Sequence, residues 1–342
     1  MKAAEYVKAG EIVYREVPLL RPEKDQIRIR VAYCGICGTD LHIYKGHMDA
    51  RVKAPQAVGH EVSGVVDALG EGVSGFLPGE KVTVRPLDNC GSCNTCRSGF
   101  THICEKLRFL GIETAGGFAE YWTVPARLVH RLPQTIPLKL AALVEPLAVA
   151  CHDVRRAEVK PGDRVVVNGG GPIGMLIAMT AREAGADVTI SEINEARLQL
   201  AHSLGFKALN PLREDLVSKI RGETGGSGAD IVFEVSGSEA GAKVITELAR
   251  PRGTIVVVAI YAKPVPVDLH KFFWKELRML GARVYEASDY EKAIRLISNG
   301  SLELVPIISR IYPLENLQRA FEYLTQTPDA MKVLIQCSEV KE

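Results

Sequence analysis

The chain has 342 residues, of which 46% are hydrophobic and 24% charged. That balance belongs to an ordinary folded protein, long enough for about two domains, and excludes a disordered chain. With 42 basic against 41 acidic side chains the formal charge is +1, so no excess of positive charge points to nucleic acid.

Residues 1–17 carry charges throughout and contain no apolar run, so no signal peptide is expected and the expected location is cytoplasmic. The first part of the chain reads as β-rich. Residues 26–31 alternate apolar and basic, and 62–68 and 81–85 are short and β-branched, with Gly and Pro turns between them. This pattern predicts a barrel or sandwich rather than βαβ units.

Chemistry-bearing residues are scattered through this part. The run from Cys34 to His42 includes Cys37, Thr39 and Asp40; Gly59, His60 and Glu61 follow, and Glu145 stands before Pro146. A catalytic zinc takes three protein ligands and leaves one position exchangeable. Cys37 and His60, with Glu61 or Glu145, can supply them. Each alone has a blander reading: His60 as a hydrogen-bonded structural histidine, Cys37 as a buried filler. Cys34, Cys151 and Cys337 are read as fillers.

Four of the eight cysteines crowd together at Cys90, Cys93, Cys96 and Cys104. Three at a spacing of three, then one eight residues on, can close a tetrahedral cage of thiolates around zinc. Such a site has no open position and is structural. The alternatives are four free thiols in a loop, which are an oxidation liability, or an iron–sulfur cluster.

From about Pro161 the character changes. The apolar strand Arg164–Asn168 leads into Gly169, Gly170, Gly171, Pro172, Ile173 and Gly174, and 174–184 reads as a helix. The stretch 165–181 is uncharged, but its glycines and Pro172 make it a strand, turn and helix rather than a membrane span. Strands are predicted at 187–191, 230–235 and 254–259, with a helix at 194–204; this alternation predicts a parallel doubly wound sheet. It ends near Ser288. Pro313 is expected to open an amphipathic helix and 331–336 to form a last strand, a return to the first domain.

Gly169, Gly171 and Gly174 make a G-x-G-x-x-G run in the right strand–helix context. The first glycine makes the turn, the second lets the pyrophosphate approach, and the third permits close helix packing, with the helix N-terminus facing the phosphates. Glu192 ends the next strand, where a carboxylate accepts from ribose hydroxyls and repels a 2′-phosphate. NAD is therefore expected over NADP. Arg197, one turn on, braces the adenosine or pairs a phosphate. The bland reading of Glu192 is a solvated strand end.

Together these motifs resemble the zinc-containing medium-chain dehydrogenases, over nearly the whole length and most closely in the polyol and threonine dehydrogenase branch. The resemblance implies a GroES-like β-rich catalytic domain at 1–147, with 287–342 returning to it, and a Rossmann domain at 148–286. It implies two zinc ions per chain, NAD, and a homo-oligomer, a dimer or more often a tetramer. Thr39 matches the hydroxyl that takes the alcohol proton and His42 the imidazole that passes it to solvent. Asp40 is assigned to support of the zinc ligands. Glu61 completes the zinc shell directly or through water, and Glu145 matches an alternate ligand or a holder of the zinc-bound water. Pro172, Ile173, Glu192 and Arg197 match cofactor positions, and Ala259, Ile260, Val284 and Tyr285 the stretches flanking nicotinamide.

The implied activity is oxidation of a secondary alcohol (a polyol, sugar acid, inositol, vicinal diol or L-threonine) to the ketone. A primary-alcohol or formaldehyde dehydrogenase is the alternative within enzymes. A non-catalytic relative is the other, although loss of Cys37, His60 or Thr39 would mark it and all are present. Some sorbitol dehydrogenases carry tyrosine directly after the histidine; here Ile43 holds that place, so sorbitol is not claimed.

Overall fold

A computed structural model describes residues 1–340. The chain separates into two compact units. The first holds Met1–Glu145, Glu286–Gly300 and the chain from Leu304 onward; the second holds Pro146–Tyr285 with Ser301–Glu303.

The first unit is built on a seven-stranded sheet. Its path runs Val129–Arg131, Lys81–Val84, Glu61–Leu69, Gln26–Gly35, Lys332–Gln336 and Ile308–Pro313, and Tyr121–Pro125 also pairs with Gln26–Gly35. The alternation read in the sequence has its usual cause: Ile27, Ile29 and Val31 are fully buried while Arg28 and Arg30 lie on the other face. Cys34, Cys151 and Cys337 are buried fillers, as expected.

Register positions the site. Gly35 stands opposite Glu61 on one side and opposite Leu334 on the other. A Cβ on Gly35 would lie 2.0 Å from Glu61 Oε2, so only glycine lets that carboxylate sit against the strand. Gly59, at φ +98°, turns the chain into His60, and a Cβ there would meet Cys34 Sγ at 2.8 Å.

The second unit carries a six-stranded, all-parallel sheet. Its order is Lys207–Leu209, Asp187–Ser191, Arg164–Asn168, Ala229–Glu234, Ala249–Val257 and Arg278–Gly281. This is the doubly wound order, which reverses direction after the first strand and opens a crevice at its carboxyl end. The Arg164–Asn168 strand is central and almost continuously apolar, as a strand covered on both faces must be.

Boundaries moved where local chemistry outweighed periodicity. The helix after the glycine turn is Pro172–Glu183, because Pro172 occupies the first turn, where its missing N–H costs nothing. Pro313 caps the start of the helical stretch, but its first turn is 3₁₀. Pro313 also ends the strand Ile308–Pro313, and the α-helix is Leu317–Gln326. No helix is long and apolar enough to cross a membrane among the described residues.

Candidate functional site

Cys37 precedes the helix Gly38–Tyr44 as its N-cap, and its backbone N–H donates to Asp40 Oδ2 at 2.8 Å. His60 comes off the Gly59 turn immediately before the strand Glu61–Leu69. Candidate ligand atoms of Cys37, His60 and Glu61 lie within 4.8 Å of one another. His60 and Glu61 are buried and Cys37 is half-buried.

His60 Nδ1 faces Asp40 Oδ1 at 3.6 Å, and both atoms are buried without a hydrogen-bond partner. Phe109 meets the His60 ring edge-on at 5.1 Å. Burial by itself works against a charge on His60, but Asp40, Cys37 and Glu145 outweigh it and push its pKa up to about 10. Burial raises Asp40 to about 6 against the pull of His60. A soft sulfur, an imidazole and carboxylates gathered in one mostly buried cluster form a donor set suited to zinc. The Asp40 carboxylate beside Nδ1 is the arrangement that orients a ligating histidine.

Glu61 has a second claimant. Lys332 Nζ donates to Glu61 Oε1 at 2.6 Å, to Oε2 at 2.8 Å and to the Ile36 carbonyl at 3.1 Å. Both side chains are almost fully buried. Burial would lower the Lys332 pKa, yet Glu61 and Cys37 hold it above the ordinary 10.5.

The four-cysteine lobe is closed. Sγ of Cys104 lies 3.5 Å from that of Cys90 and 3.8 Å from that of Cys93. A zinc with Zn–S bonds of about 2.3 Å sets tetrahedral sulfurs about 3.8 Å apart, so the cage fits that ion. Backbone N–H groups of Cys93, Cys96, Cys90 and Lys106 point at sulfurs from 3.3 to 3.4 Å. Donors from Ser92 first, and then Cys93, bring the Cys90 thiol down to about 6.

In the second unit Gly169 has φ +114°, and a Cβ on it would fall 2.8 Å from Ser236 N. A Cβ on Gly174 would fall 1.8 Å from the Gly169 carbonyl, so the helix can pack this close only with glycine there. Glu192 is buried. Its Oε2 accepts from Gly170 N at 2.8 Å, and its Oε1 from Ile193 N and Asn194 N at 2.7 and 2.8 Å. Arg197 Nη1 stands 3.8 Å from Glu192 Oε2 and 3.6 Å from where a Gly171 Cβ would be. The carboxylate, the arginine and the glycine turn thus form one cradle.

Two family models match the chain: an alcohol dehydrogenase GroES-like domain over residues 23–134 and a zinc-binding dehydrogenase over 172–299. A 2-dehydro-3-deoxy-L-galactonate 5-dehydrogenase from Pseudoalteromonas atlantica is 51% identical, covering 99% of each chain. An L-galactonate-5-dehydrogenase from Escherichia coli is 34% identical over 90% of each chain. The chain belongs to the zinc-containing medium-chain dehydrogenase family. Among solved structures, a putative zinc-binding dehydrogenase from Sinorhizobium meliloti bound to NADP has a TM-score of 0.92 at 32% identity, covering 98% of each chain. The protein is an alcohol dehydrogenase-type oxidoreductase that uses zinc and a nicotinamide dinucleotide.

The remaining residues of this dehydrogenase read in the sequence fall as follows. Thr39 is half-buried in the first turn of the Gly38–Tyr44 helix, and His42 is exposed three residues on, on the same face. Glu145 is buried and near enough to bear on His60 and Lys332. Pro172 and Ile173 open the helix that follows the turn, both half-buried. Ala259 is half-buried, Ile260 is 87% exposed, and Tyr285 is fully buried. Val284 sits at φ +48°, a left-handed conformation costly for a β-branched residue and of the kind that gathers at binding sites. Sequence reasoning missed Lys332. Its signal was a lysine inside an apolar strand, a position that calls for a buried acid.

Proposed function

We propose that the dehydrogenase oxidises a secondary hydroxyl of a sugar acid, with NAD as acceptor. The observation that carries this reading is the donor set of Cys37, His60 and neighbouring carboxylates, with Asp40 Oδ1 facing the imidazole Nδ1 at 3.6 Å. Zinc bound there supplies Lewis-acid polarisation of the substrate oxygen. Cys37 and His60 are its first two ligands. Glu61, whose carboxylate lies with the Cys37 and His60 ligand atoms, or Glu145 would supply the third donor. Thr39 takes the alcohol proton, and His42, one helical turn along and exposed, delivers it to solvent. Cys90, Cys93, Cys96 and Cys104 hold the second, structural zinc, which makes two per chain.

Glu192 supports NAD over NADP because a buried carboxylate at that strand end repels a 2′-phosphate. Gly169, Gly171 and Gly174 shape the phosphate turn, with Pro172, Ile173 and Arg197 beside it. Ala259, Ile260, Val284 and Tyr285 are assigned to the nicotinamide end. The two galactonate-type relatives support a sugar acid as substrate.

The chain works as a homo-oligomer. Support comes from the helix Leu269–Lys275, which buries none of its residues and leaves Leu269, Phe273 and Trp274 exposed by 74%, 77% and 68%. The neighbouring edge strand Arg278–Gly281 pairs on one side only.

A screen of NADH formation across sugar acids, polyols, inositols, diols and threonine tests the substrate. The highest kcat/KM is expected for a six-carbon sugar acid oxidised at carbon 5. A tenfold or greater preference for threonine or a simple diol would overturn that choice.

A further inference from the structure

One buried acid has no part in the chemistry above. Glu234 ends the strand Ala229–Glu234 and has no exposed surface. Its carboxylate collects neutral donors: Asn168 Nδ2 on Oε2 at 2.5 Å, and Ser236 Oγ and Gly237 N on Oε1 at 2.6 and 3.0 Å. Accepting on both oxygens is the pattern of an ionised carboxylate, and none of these donors cancels its charge.

Its place is equally specific. Asn168 is the residue before the Gly169 turn, and that turn packs against the Ser236 backbone. The Glu234 carbonyl accepts from Val258 N at 3.0 Å and Ala259 N at 3.1 Å. One residue therefore ties together the carboxyl ends of three neighbouring parallel strands, between the phosphate turn and the Ala259–Ile260 stretch. This edge is where doubly wound sheets hold dinucleotides.

Burying a charge without a cation is costly, and a glutamine could accept on one side only, its NH2 then facing Asn168 Nδ2 or Gly237 N. A negative charge here has a use that an amide lacks. The nicotinamide ring is cationic when oxidised and neutral when reduced, and a fixed charge away from water is poorly screened. We propose that Glu234 is an electrostatic positioning residue of the cofactor pocket, holding the Gly169 turn against Ala259 while favouring bound NAD⁺ over bound NADH. The inference rests on the nicotinamide reading of this edge.

The test is Glu234→Gln in the zinc-loaded enzyme. NADH affinity is read by fluorescence titration and NAD⁺ affinity by competition. The ratio Kd(NAD⁺)/Kd(NADH) is expected to rise by roughly fivefold, the size of a modest unscreened charge effect. A purely structural role weakens both forms alike, so an unchanged ratio overturns the proposal. The double variant Asn168→Asp/Glu234→Gln exchanges amide and carboxylate and keeps the charge; its ratio is expected within twofold of the parent. Should Glu234→Gln not fold, this exchanged pair carries the test, and a raised ratio in it refutes the proposal. A parent enzyme that binds neither form of the cofactor refutes the dinucleotide reading instead.

Discussion

Replacing Lys332 by methionine removes the cation that faces Glu61 while filling much the same space. Glu61 is 1% and Lys332 3% exposed, so no water reaches the acid left behind. The Ile36 carbonyl also loses its donor at 3.1 Å. Stranding one partner of a buried pair costs about 3–5 kcal/mol. For a folding unit of this size, about 2–4 °C per kcal/mol puts the fall in Tm at roughly 6–20 °C. The chain has two tryptophans. Trp122 is buried in the first unit, and Trp274 is exposed in the second. In a Trp274→Phe background, tryptophan fluorescence therefore follows the unit that carries Lys332, which avoids treating a two-unit chain as one transition. The control is Glu61→Gln with Lys332→Met, which removes both charges and should recover most of the loss. A single variant within about 1 kcal/mol of the parent, or a double variant no better than the single, would refute the reasoning.

Four further outcomes follow from the sites. Cys37→Ser should lower kcat/KM at least a thousandfold while NADH still binds, because the glycine turn lies in the other unit; fluorescence titration beside turnover checks both. Elemental analysis should find two zinc ions per chain in the parent and one in Cys93→Ser, with turnover retained until the lobe unfolds. The Cys90 thiol is brought down to about 6, so its thiolate is present above that value and lost as pH falls through it. Zinc release from the lobe, followed with a chromogenic chelator, should accordingly steepen on acidification and not on raising the pH. Gly174→Ala should abolish dinucleotide binding, since its Cβ would sit 1.8 Å from the Gly169 carbonyl; binding within threefold of the parent would contradict the packing described.

What could be read from the chain alone was local. The cysteine spacing from Cys90 to Cys104, the glycine turn from Gly169 to Gly174 and the apolar strand before it each place their chemistry within a few residues. Backbone reach and turn geometry do the rest. The alternation at 26–31 likewise reports its own burial, because side chains in a strand change faces at every residue. The choice of partner across the fold has no such short-range signature. Lys332 meets Glu61 across 271 positions and Asn168 meets Glu234 across 66. Both pairs exist only because sheet register sets one strand end against another. The strand Ile308–Pro313 was unread for the same reason: its burial is poor, and it is held by parallel pairing with Lys332–Gln336 rather than by a pattern of its own. Local sequence determined which groups this dehydrogenase has for metal and cofactor. Tertiary structure alone decided that Glu61 is shared with a lysine and that Glu234 meets Asn168, because the energy of a buried polar group depends on neighbours far away in sequence.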